Sequence, residues 1–168
     1  MIIATSRTLG KEAALRAAGA NHVIATEEDD LVEKVMNFTN GRGADVTYDC
    51  VAGALANKLV QATAIRGHWI VYGLMDLTPT PFPWLQLFIR STRFDVYKVF
   101  DFTGNPSLGL PANREAFARA CRFITAGIAD GSLPAVPIDR EFQGLESLAE
   151  AMRYMASNRA SGKIVVTL

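Results

Sequence analysis

The chain has 168 residues, of which 49% are hydrophobic and 20% are charged, and its formal net charge is zero. This length is enough for one domain or slightly more with a buried core, and the composition excludes intrinsic disorder. The balanced charge, without a stripe of lysine and arginine between aromatic residues, argues against nucleic acid or a membrane surface as a partner. No apolar run reaches the roughly 18 residues of a membrane span.

Two cysteines, Cys50 and Cys121, lie far apart in the sequence and lack CxxC spacing. No secretory signal precedes the first predicted strand. We therefore expect two buried thiols in a reducing cytoplasm, and neither a disulfide nor a metal site.

Short apolar runs alternate with helical patterns through the first half of the chain. Such alternation predicts an α/β fold, in which right-handed helical crossovers join parallel strands. Several runs are apolar throughout, which is typical of strands covered by helices on both faces. The predicted strands are residues 2–5, 22–25, 45–50 and 68–73. Helices are predicted at residues 11–18 and 55–64, and another helix is predicted to open with a capping box at 26–29.

The pattern changes in the stretch "LMDLTPTPFPWLQLF", where Pro79, Pro81 and Pro83 alternate with other residues. Proline at every second position excludes a central strand or a helix interior, and predicts an ordered loop or edge. Further on, the sequence predicts a strand at 93–100, a long connection, a helix from a cap at Asn113 to a stop at Gly127, a strand-like piece at 136–139, a helix near 145–157 and a last strand at 163–168.

Ser6, Arg7 and Lys11 follow the first predicted strand. In a doubly wound sheet, ligands bind outside the carboxyl ends of the strands. A site that selects NAD has a carboxylate there for the ribose hydroxyls, whereas one hydroxyl and two cations suit the 2′-phosphate of NADP. The alternative is that Arg7 and Lys11 are only the solvated start of a helix, and their spacing leaves both interpretations open.

Other candidate groups point to structural roles. The chain contains no GxGxxG motif and no Walker lysine motif, so the usual cradle for a pyrophosphate is missing. His22 and His68 flank apolar strands and are interpreted as structural histidines. Asp45 and Asp49 alternate along one strand, where carboxylates usually serve turns or caps.

Four motifs occur together in a recognisable order and spacing: "IATSRTLGKEAALRAAGANHVI", "GRGADVTYDCVAG", "RGHWIVYG" and "SGKIVVTL". They resemble the latter half of the medium-chain dehydrogenases/reductases, above all the zinc-free quinone oxidoreductases of the zeta-crystallin branch. The resemblance implies an incomplete doubly wound Rossmann-type sheet. It implies a partial NADP-binding domain at residues 1–111, and at residues 112–168 helices and a strand that pack toward a catalytic lobe.

The resemblance also implies a set of contacts to NADP(H) and a homodimer. The dimer would pair the edge segments that run from Arg93 to Phe100 in two copies. Ser6, Arg7 and Lys11 would contact the 2′-phosphate, and Thr26 would lie beside the adenosine. Val51 and Ala52 would pass the ribose, Gly73 would lie near the nicotinamide, and Arg159 would reach the other phosphates.

The family's first strand and its glycine-rich turn have no counterpart in the sequence, so residues 2–5 resemble the second strand. In the strand order 3-2-1-4-5-6 the first strand is central. We therefore expect unpaired inner edges on the second and fourth strands, and a last strand at 163–168 without its usual partners. The sheet would close the gap, borrow a strand from another chain, or be completed by a segment outside this sequence.

By this resemblance the chain is the cofactor-binding part of an NADPH-dependent oxidoreductase that reduces quinones or conjugated enones and enals. In such enzymes the cofactor performs the chemistry, which is consistent with the lack of a catalytic motif. We expect the isolated chain to be inactive, because it lacks the pyrophosphate turn and half of the substrate cleft. The alternative is a non-catalytic module that binds a nucleotide or forms oligomers.

Overall fold

Parallel strands alternate with helices along the whole chain, in a computed structural model that describes residues 1–157 and 159–168. Every pairing between the described strands is parallel. This confirms the predicted α/β class. Contacts within the chain define two units, Met1–Asn113 and Arg114–Leu168, called unit 1 and unit 2 below.

Unit 1 contains the alternating elements predicted from the first half of the sequence. The strand β2 has the predicted bounds, whereas β4 begins and ends earlier than predicted. The strands are β1 Ile3–Ser6, β2 His22–Ala25, β3 Ala44–Asp49, β4 Thr63–Val71 and β5 Arg93–Val96, and the helices are α1 Glu12–Ala17, α2 Leu31–Phe38, α3 Ala56–Ala62, α4 Trp84–Arg90 and α5 Phe100–Thr103.

The sheet of unit 1 is interrupted between β1 and β3. The strand β1 pairs with β2 alone, and β3 pairs with β4, which continues to β5. Among the described residues, β1 and β3 therefore each have one edge without a partner strand. This confirms the unpaired inner edges implied by the resemblance. Val46 and Tyr48 of β3 are exposed apolar side chains beside such an edge.

One hydrophobic core holds the two sheets together despite the missing hydrogen bonds. Ile24 of β2, Leu31 of α2 and Leu59 of α3 are buried in it, and Ile3 of β1 and Ala44 of β3 pack against it. Burial of a side chain of this size contributes about 1.5–3 kcal/mol. The helices α2 and α3 thus connect β1 and β2 to β3 through apolar contacts.

A second hydrophobic core lies beside β4 in unit 1. It contains Ala56 and Val60 of α3, Trp69 and Val71 of β4, and Leu87 of α4 packs against it. Because α3 contributes to both cores, it fixes the position of β4 relative to β2.

The N-cap of α2 lies four residues after Thr26, the first residue of the predicted capping box. Its N-cap is Asp30, whose side chain accepts a hydrogen bond from the Glu33 N–H at 2.9 Å. The Asp29 carboxylate instead accepts from the Ala25 N–H at 3.0 Å, and this bond lowers the pKa of Asp29. The predicted capping box at residues 26–29 is wrong, because the Asp29 side chain bonds to the end of β2 and Asp30 is the N-cap of α2.

Two further predictions in unit 1 are wrong in their bounds. The loop predicted up to Phe88 ends at Pro83, which is the N-cap of α4. Proline is tolerated at a helix start because the first N–H groups have no partner inside the helix. The strand predicted from Arg93 to Phe100 ends at Val96, and Phe100 is the first residue of α5.

Unit 2 contains α6 Arg114–Asp130, β6 Ile138–Gln143, α7 Leu148–Ala156 and β7 Lys163–Thr167. The last strand, expected to lack its usual partners, pairs in parallel with β6. The predicted helix stop at Gly127 is wrong, because α6 continues three residues beyond it. A Cβ on Gly127 would lie 2.6 Å from a Leu133 methyl carbon, so this glycine serves close packing.

We expect Asp30→Ala to lower the free energy of unfolding by about 1 kcal/mol, because the first turn of α2 loses the acceptor for a backbone N–H. Glu28→Ala is the matched control: it removes an exposed carboxylate close by and should change stability by less than about 0.5 kcal/mol. Urea unfolding followed by circular dichroism measures both. Equal losses in the two variants would contradict the assignment of Asp30 as the N-cap.

Candidate functional site

Seven of the eight predicted cofactor residues lie in unit 1, at or just beyond the carboxyl ends of its parallel strands. The register of β1 and β2 pairs Ser6 with Ala25, so the segments that follow the two strands start side by side. Val51 follows β3, and Gly73 follows β4. These residues form two groups, one beside β1 and β2 and one beside β3 and β4.

The first group contains Ser6, Arg7 and Thr26. The Thr26 N–H donates to the Ser6 carbonyl at 2.8 Å, and the Thr26 hydroxyl donates to the same oxygen at 3.3 Å. Lys11 ends the short 3-10 turn that precedes α1. The structure therefore brings together the hydroxyls and the arginine, with the lysine in the next turn of the chain.

The charges of this group are of both signs. The Arg7 Nε lies 4.0 Å from a Glu27 carboxylate oxygen, and 64% of the Arg7 side chain is exposed. Such an exposed pair is weak, so the guanidinium remains accessible to an anion. The Ser6 hydroxyl donates to the Thr8 carbonyl, which leaves its oxygen as an acceptor. The sequence did not reveal Glu27 as a neighbour of Arg7, because the two lie beyond the ends of different strands.

The second group depends on Asp49, which is 2% exposed. One of its carboxylate oxygens accepts from the N–H groups of Val51 at 2.8 Å and Ala52 at 2.9 Å. The other accepts from the Trp69 indole N–H at 3.2 Å. Hydrogen bonds to a charged group contribute about 1.5–3 kcal/mol each. The predicted turn or cap role is confirmed for Asp49, whereas its bond to Trp69 joins two strands and has no local sequence signal.

The backbone of this group is unusually close and strained. Ala52 has φ 61° and ψ −134°, a conformation that costs a residue with a side chain about 1–3 kcal/mol. A Cβ on Gly73 would lie 2.8 Å from the Cys50 carbonyl oxygen. The two backbone hydrogen bonds to Asp49 stabilise the conformation of Ala52. The close contact with Cys50 requires glycine at position 73.

The thiol of Cys50 affects a neighbouring phenol. A hydrogen bond to Cys50, together with burial and the nearby charge of Asp49, raises the pKa of Tyr72. Tyr72 therefore stays protonated at neutral pH and keeps its O–H as a donor. Both cysteines are free thiols, but the expectation that both are buried is wrong, because Cys121 lies on an exposed part of α6.

An apolar cavity of about 700 Å³ opens beside the second group. Ala52 and Gly73 line it, so two predicted cofactor residues from different strands face one space. Its wall is formed by alternate residues of two neighbouring strands, Trp69 and Val71 of β4 with Phe94 and Val96 of β5.

The two histidines have structural contacts, as predicted. The His22 ring stacks on Phe38 with 3.9 Å between ring centroids. His68 Nε2 lies 2.7 Å from an Asp95 carboxylate oxygen, which ties β4 to β5. Asp45, the other carboxylate of β3, is exposed and paired with Arg42 at 2.6 Å.

The eighth predicted residue, Arg159, belongs to unit 2. Its guanidinium carbon lies 5.4 Å from the centre of the Tyr154 ring, and its Nε donates to the Ser157 hydroxyl at 3.1 Å. Its contact with cofactor phosphates stays a prediction.

Two features are absent from the described residues: a cluster of metal-ligating side chains and a membrane-spanning helix. In residues 1–157 and 159–168, no three His, Cys, Asp or Glu side chains are grouped as a metal ion requires. In the same part of the chain, no helix has the length and apolar character needed to cross a membrane.

Parallel strands wound with helices, with a tight glycine turn and a hydroxyl–cation group at their carboxyl ends, define a domain of the Rossmann type. The chain belongs to the zinc-binding dehydrogenase family, whose sequence model matches residues 1–102. This confirms the predicted relationship to the medium-chain dehydrogenases. Despite the family's name, the described residues do not fit a zinc ion.

Individual relatives are longer than this chain. It is 26% identical to a phenolphthiocerol/phthiocerol polyketide synthase polypeptide of Mycobacterium tuberculosis, over 99% of the chain and 7% of that protein. It is 28% identical to prostaglandin reductase-3 of Bos taurus, over 99% of the chain and 45% of that protein. The quinone oxidoreductase structure from Pseudomonas syringae pv. Tomato DC3000 superposes with a TM-score of 0.79 at 20% identity, over 99% of the chain and 48% of that structure. The chain thus spans less than half the length of these relatives, and the superposition confirms the doubly wound Rossmann-type fold.

We expect Asp49→Asn to lower the free energy of unfolding by about 2–4 kcal/mol, because a buried group that accepts three hydrogen bonds loses its charge and part of its accepting capacity. Asp45→Asn on the same strand is the control, and should change stability by less than about 1 kcal/mol, since Asp45 forms only a surface ion pair. Urea unfolding curves give both values. A loss at Asp49 no larger than at Asp45 would show that the turn does not depend on this carboxylate.

We expect Gly73→Ala to destabilise unit 1 by about 1–3 kcal/mol, because the new methyl group would overlap the Cys50 carbonyl. Gly10→Ala is the comparison, since a Cβ there meets only the Thr8 hydroxyl at 3.6 Å. That change should be neutral or stabilising by up to about 1 kcal/mol. Thermal unfolding of the two variants tests this prediction. Equal midpoints would contradict the close contact between Gly73, after β4, and Cys50, after β3.

Proposed function

We propose that the chain is the cofactor-binding part of an NADPH-dependent oxidoreductase that reduces quinones or conjugated enones and enals. The observation that carries this proposal is that Ala52 and Gly73, expected beside the ribose and the nicotinamide, line the same cavity. The relatives named prostaglandin reductase-3 and quinone oxidoreductase support the reaction type.

The first group holds the adenosine end of NADP(H) in this proposal. Arg7 and Lys11 bind the 2′-phosphate through charge-assisted hydrogen bonds, which are stronger than neutral ones. Ser6 lies beside them, and Thr26 contacts the adenosine. The exposed Arg7 guanidinium, with only a weak pair to Glu27, supports the assignment.

The second group holds the other end of the cofactor. Val51 and Ala52 pass the ribose, the turn at Gly73 lies against the nicotinamide, and Arg159 contacts the phosphates. When bound, NADPH supplies the hydride that reduces the substrate, and solvent supplies the proton. The side chains of this chain bind and orient, and Asp49 keeps the turn in shape.

The domain organisation belongs to the same proposal. Residues 1–111 bind the cofactor, and residues 112–168 pack toward the catalytic lobe of the full enzyme. The isolated chain is therefore inactive in turnover. The full enzyme acts in the cytoplasm.

A homodimer forms through the segment from Arg93 to Phe100. The strand β5 supports this interface, because it pairs only with β4 among the described strands and so has a free outer edge. Val96 and Tyr97, at the end of that strand, are exposed.

The alternative function is a non-catalytic module that binds a nucleotide or forms oligomers. The open edges of β1 and β3 favour it, because unpaired strand edges are templates for pairing with another chain. Exchange of a flanking strand between copies would rebuild the sheet, and a stable monomer in size-exclusion chromatography would exclude that exchange.

Calorimetric titration of the chain with NADPH and NADH tests the proposal. We expect binding of NADPH, and we expect Arg7→Ala to weaken it about tenfold or more while the affinity for NADH is unchanged, because one charge-assisted contact is lost. Arg42→Ala is the matched control, since Arg42 is also 64% exposed and paired with a carboxylate.

Each other outcome has a definite meaning. If neither nucleotide binds, the cofactor-binding function is contradicted for this chain, and only the oligomer-forming module remains. If NADH binds better and Arg7→Ala has no selective effect, the assignment of Arg7 to a 2′-phosphate site is contradicted.

A further inference from the structure

The turn between α2 and β3 contains the one Asn-Gly pair of the sequence, Asn40 and Gly41. Both residues are exposed, and a Cβ on Gly41 would meet no atom within 4 Å. The side-chain amide of an asparagine is open to attack by the backbone nitrogen of the next residue. Glycine hinders this attack least, because it has no side chain. Asn40 is therefore the asparagine of this chain whose amide is most readily lost.

The loss of this amide needs only water besides the chain itself. The Gly41 nitrogen bonds to the Asn40 Cγ, the bond from Cγ to Nδ2 breaks, and ammonia leaves with the proton of the Gly41 nitrogen. Water then opens the cyclic imide. Cleavage between the nitrogen and Cγ gives aspartate, whereas cleavage between the nitrogen and the Asn40 carbonyl carbon gives isoaspartate, whose main chain is one carbon longer. No atom is oxidised or reduced in either step.

The last turn of α2 restrains the attacking group. The Gly41 N–H donates to the Met36 carbonyl at 2.7 Å, so the nitrogen is held in a hydrogen bond. The Thr39 hydroxyl donates to the Val35 carbonyl at 2.7 Å and accepts from the Gly43 N–H at 2.8 Å, which joins the helix end to the chain that follows. The attack therefore waits until this turn opens. Helix ends open at a low free energy, so the turn slows the reaction without preventing it.

The same turn has no room for a longer main chain. Asn40, Gly41 and Gly43 all have positive φ, at 53°, 81° and 87°. Gly43 is buried, and a Cβ there would lie 2.8 Å from the Ala62 carbonyl oxygen. Ala44, the first residue of β3, packs against the first core. An extra main-chain carbon at position 40 would therefore displace the start of β3.

We propose that Asn40 is a deamidation site, that the last turn of α2 sets the rate of the reaction, and that the isoaspartyl product destabilises the start of β3. The site lies at the amino end of β3, whereas the candidate cofactor residues lie at the carboxyl ends of the strands. Its chemistry therefore does not depend on a bound nucleotide.

Ageing of the whole chain at neutral pH and body temperature tests the site. Trypsin cleaves after Lys34 and Arg42, so one peptide contains both Asn40 and Asn37, which precedes Phe38 and serves as the internal control. We expect mass spectrometry to find the exchange of amide for acid at Asn40 and not at Asn37. An isoaspartate-specific methyltransferase should label the same peptide. Equal rates at the two asparagines would overturn the proposal.

Two threonines provide matched variants that test the control by the turn. Thr39→Val removes the hydroxyl that bonds to Val35 and Gly43, so the reaction at Asn40 should be about twofold to tenfold faster, the factor that one ordinary hydrogen bond supplies. Thr103→Val is the control, because Thr103 also donates to the carbonyl four residues earlier, at 3.3 Å, but at the end of α5. Equal rates in the two variants would contradict the control by α2. If Thr39→Val fails to fold, concentrated urea opens the turn instead, and an unchanged rate in urea would contradict it equally.

Asn40→Asp separates the effect of the longer main chain from the effect of the new charge, because it adds the carboxylate alone. We expect the isoaspartyl fraction of the aged chain, isolated by ion exchange, to unfold about 2–4 °C below the freshly prepared Asn40→Asp variant, the shift that a modest loss of stability causes in a chain of this size. Thermal unfolding followed by circular dichroism measures both midpoints. Equal midpoints would show that the turn accommodates the extra carbon, and the inferred effect on β3 would be wrong.

Discussion

The carboxylate of Asp49 is the contact on which the strand ends of unit 1 depend. Burial of a carboxylate costs free energy unless donors replace the lost water. Two backbone N–H groups and the Trp69 indole do so here. They hold Ala52 at a positive φ of 61°, and they fix the Trp69 ring, which belongs to the second core and to the cavity wall. The turn at Ala52, the second core and the cavity wall therefore all depend on the Asp49 carboxylate.

The other constraint is an interrupted sheet held by apolar packing. Hydrogen bonds join strands within each part of the sheet, and side chains of the first core join β1 and β2 to β3. The helix α3 contributes to both cores, so it transmits the position of one part to the other. This arrangement leaves the carboxyl ends of β1 and β3 as two separate groups of candidate residues.

Sequence patterns predicted the alternation of strands and helices, because apolar periodicity reflects burial directly. They failed where neighbouring residues compete. The capping box predicted at 26–29 does not form, because the Asp29 carboxylate accepts from the Ala25 N–H and Asp30 caps α2. Gly127 has a low helix propensity, yet packing against Leu133 outweighs it. The strand-end positions of the candidate site were predictable, whereas the bond from Trp69 to Asp49 was not, because it joins residues brought together only by the sheet.

The open edges of β1 and β3 also determine how the backbone exchanges hydrogen with solvent. Successive amides of a strand point to opposite edges, so half of those in β1 face β2 and half face the gap. Amides in the β1–β2 ladder exchange only when that ladder opens, and amides at the gap exchange without any opening. The same holds for β3 beside β4. Deuterium uptake along both strands therefore alternates residue by residue, and a strand seated in the gap converts this alternation into uniform protection.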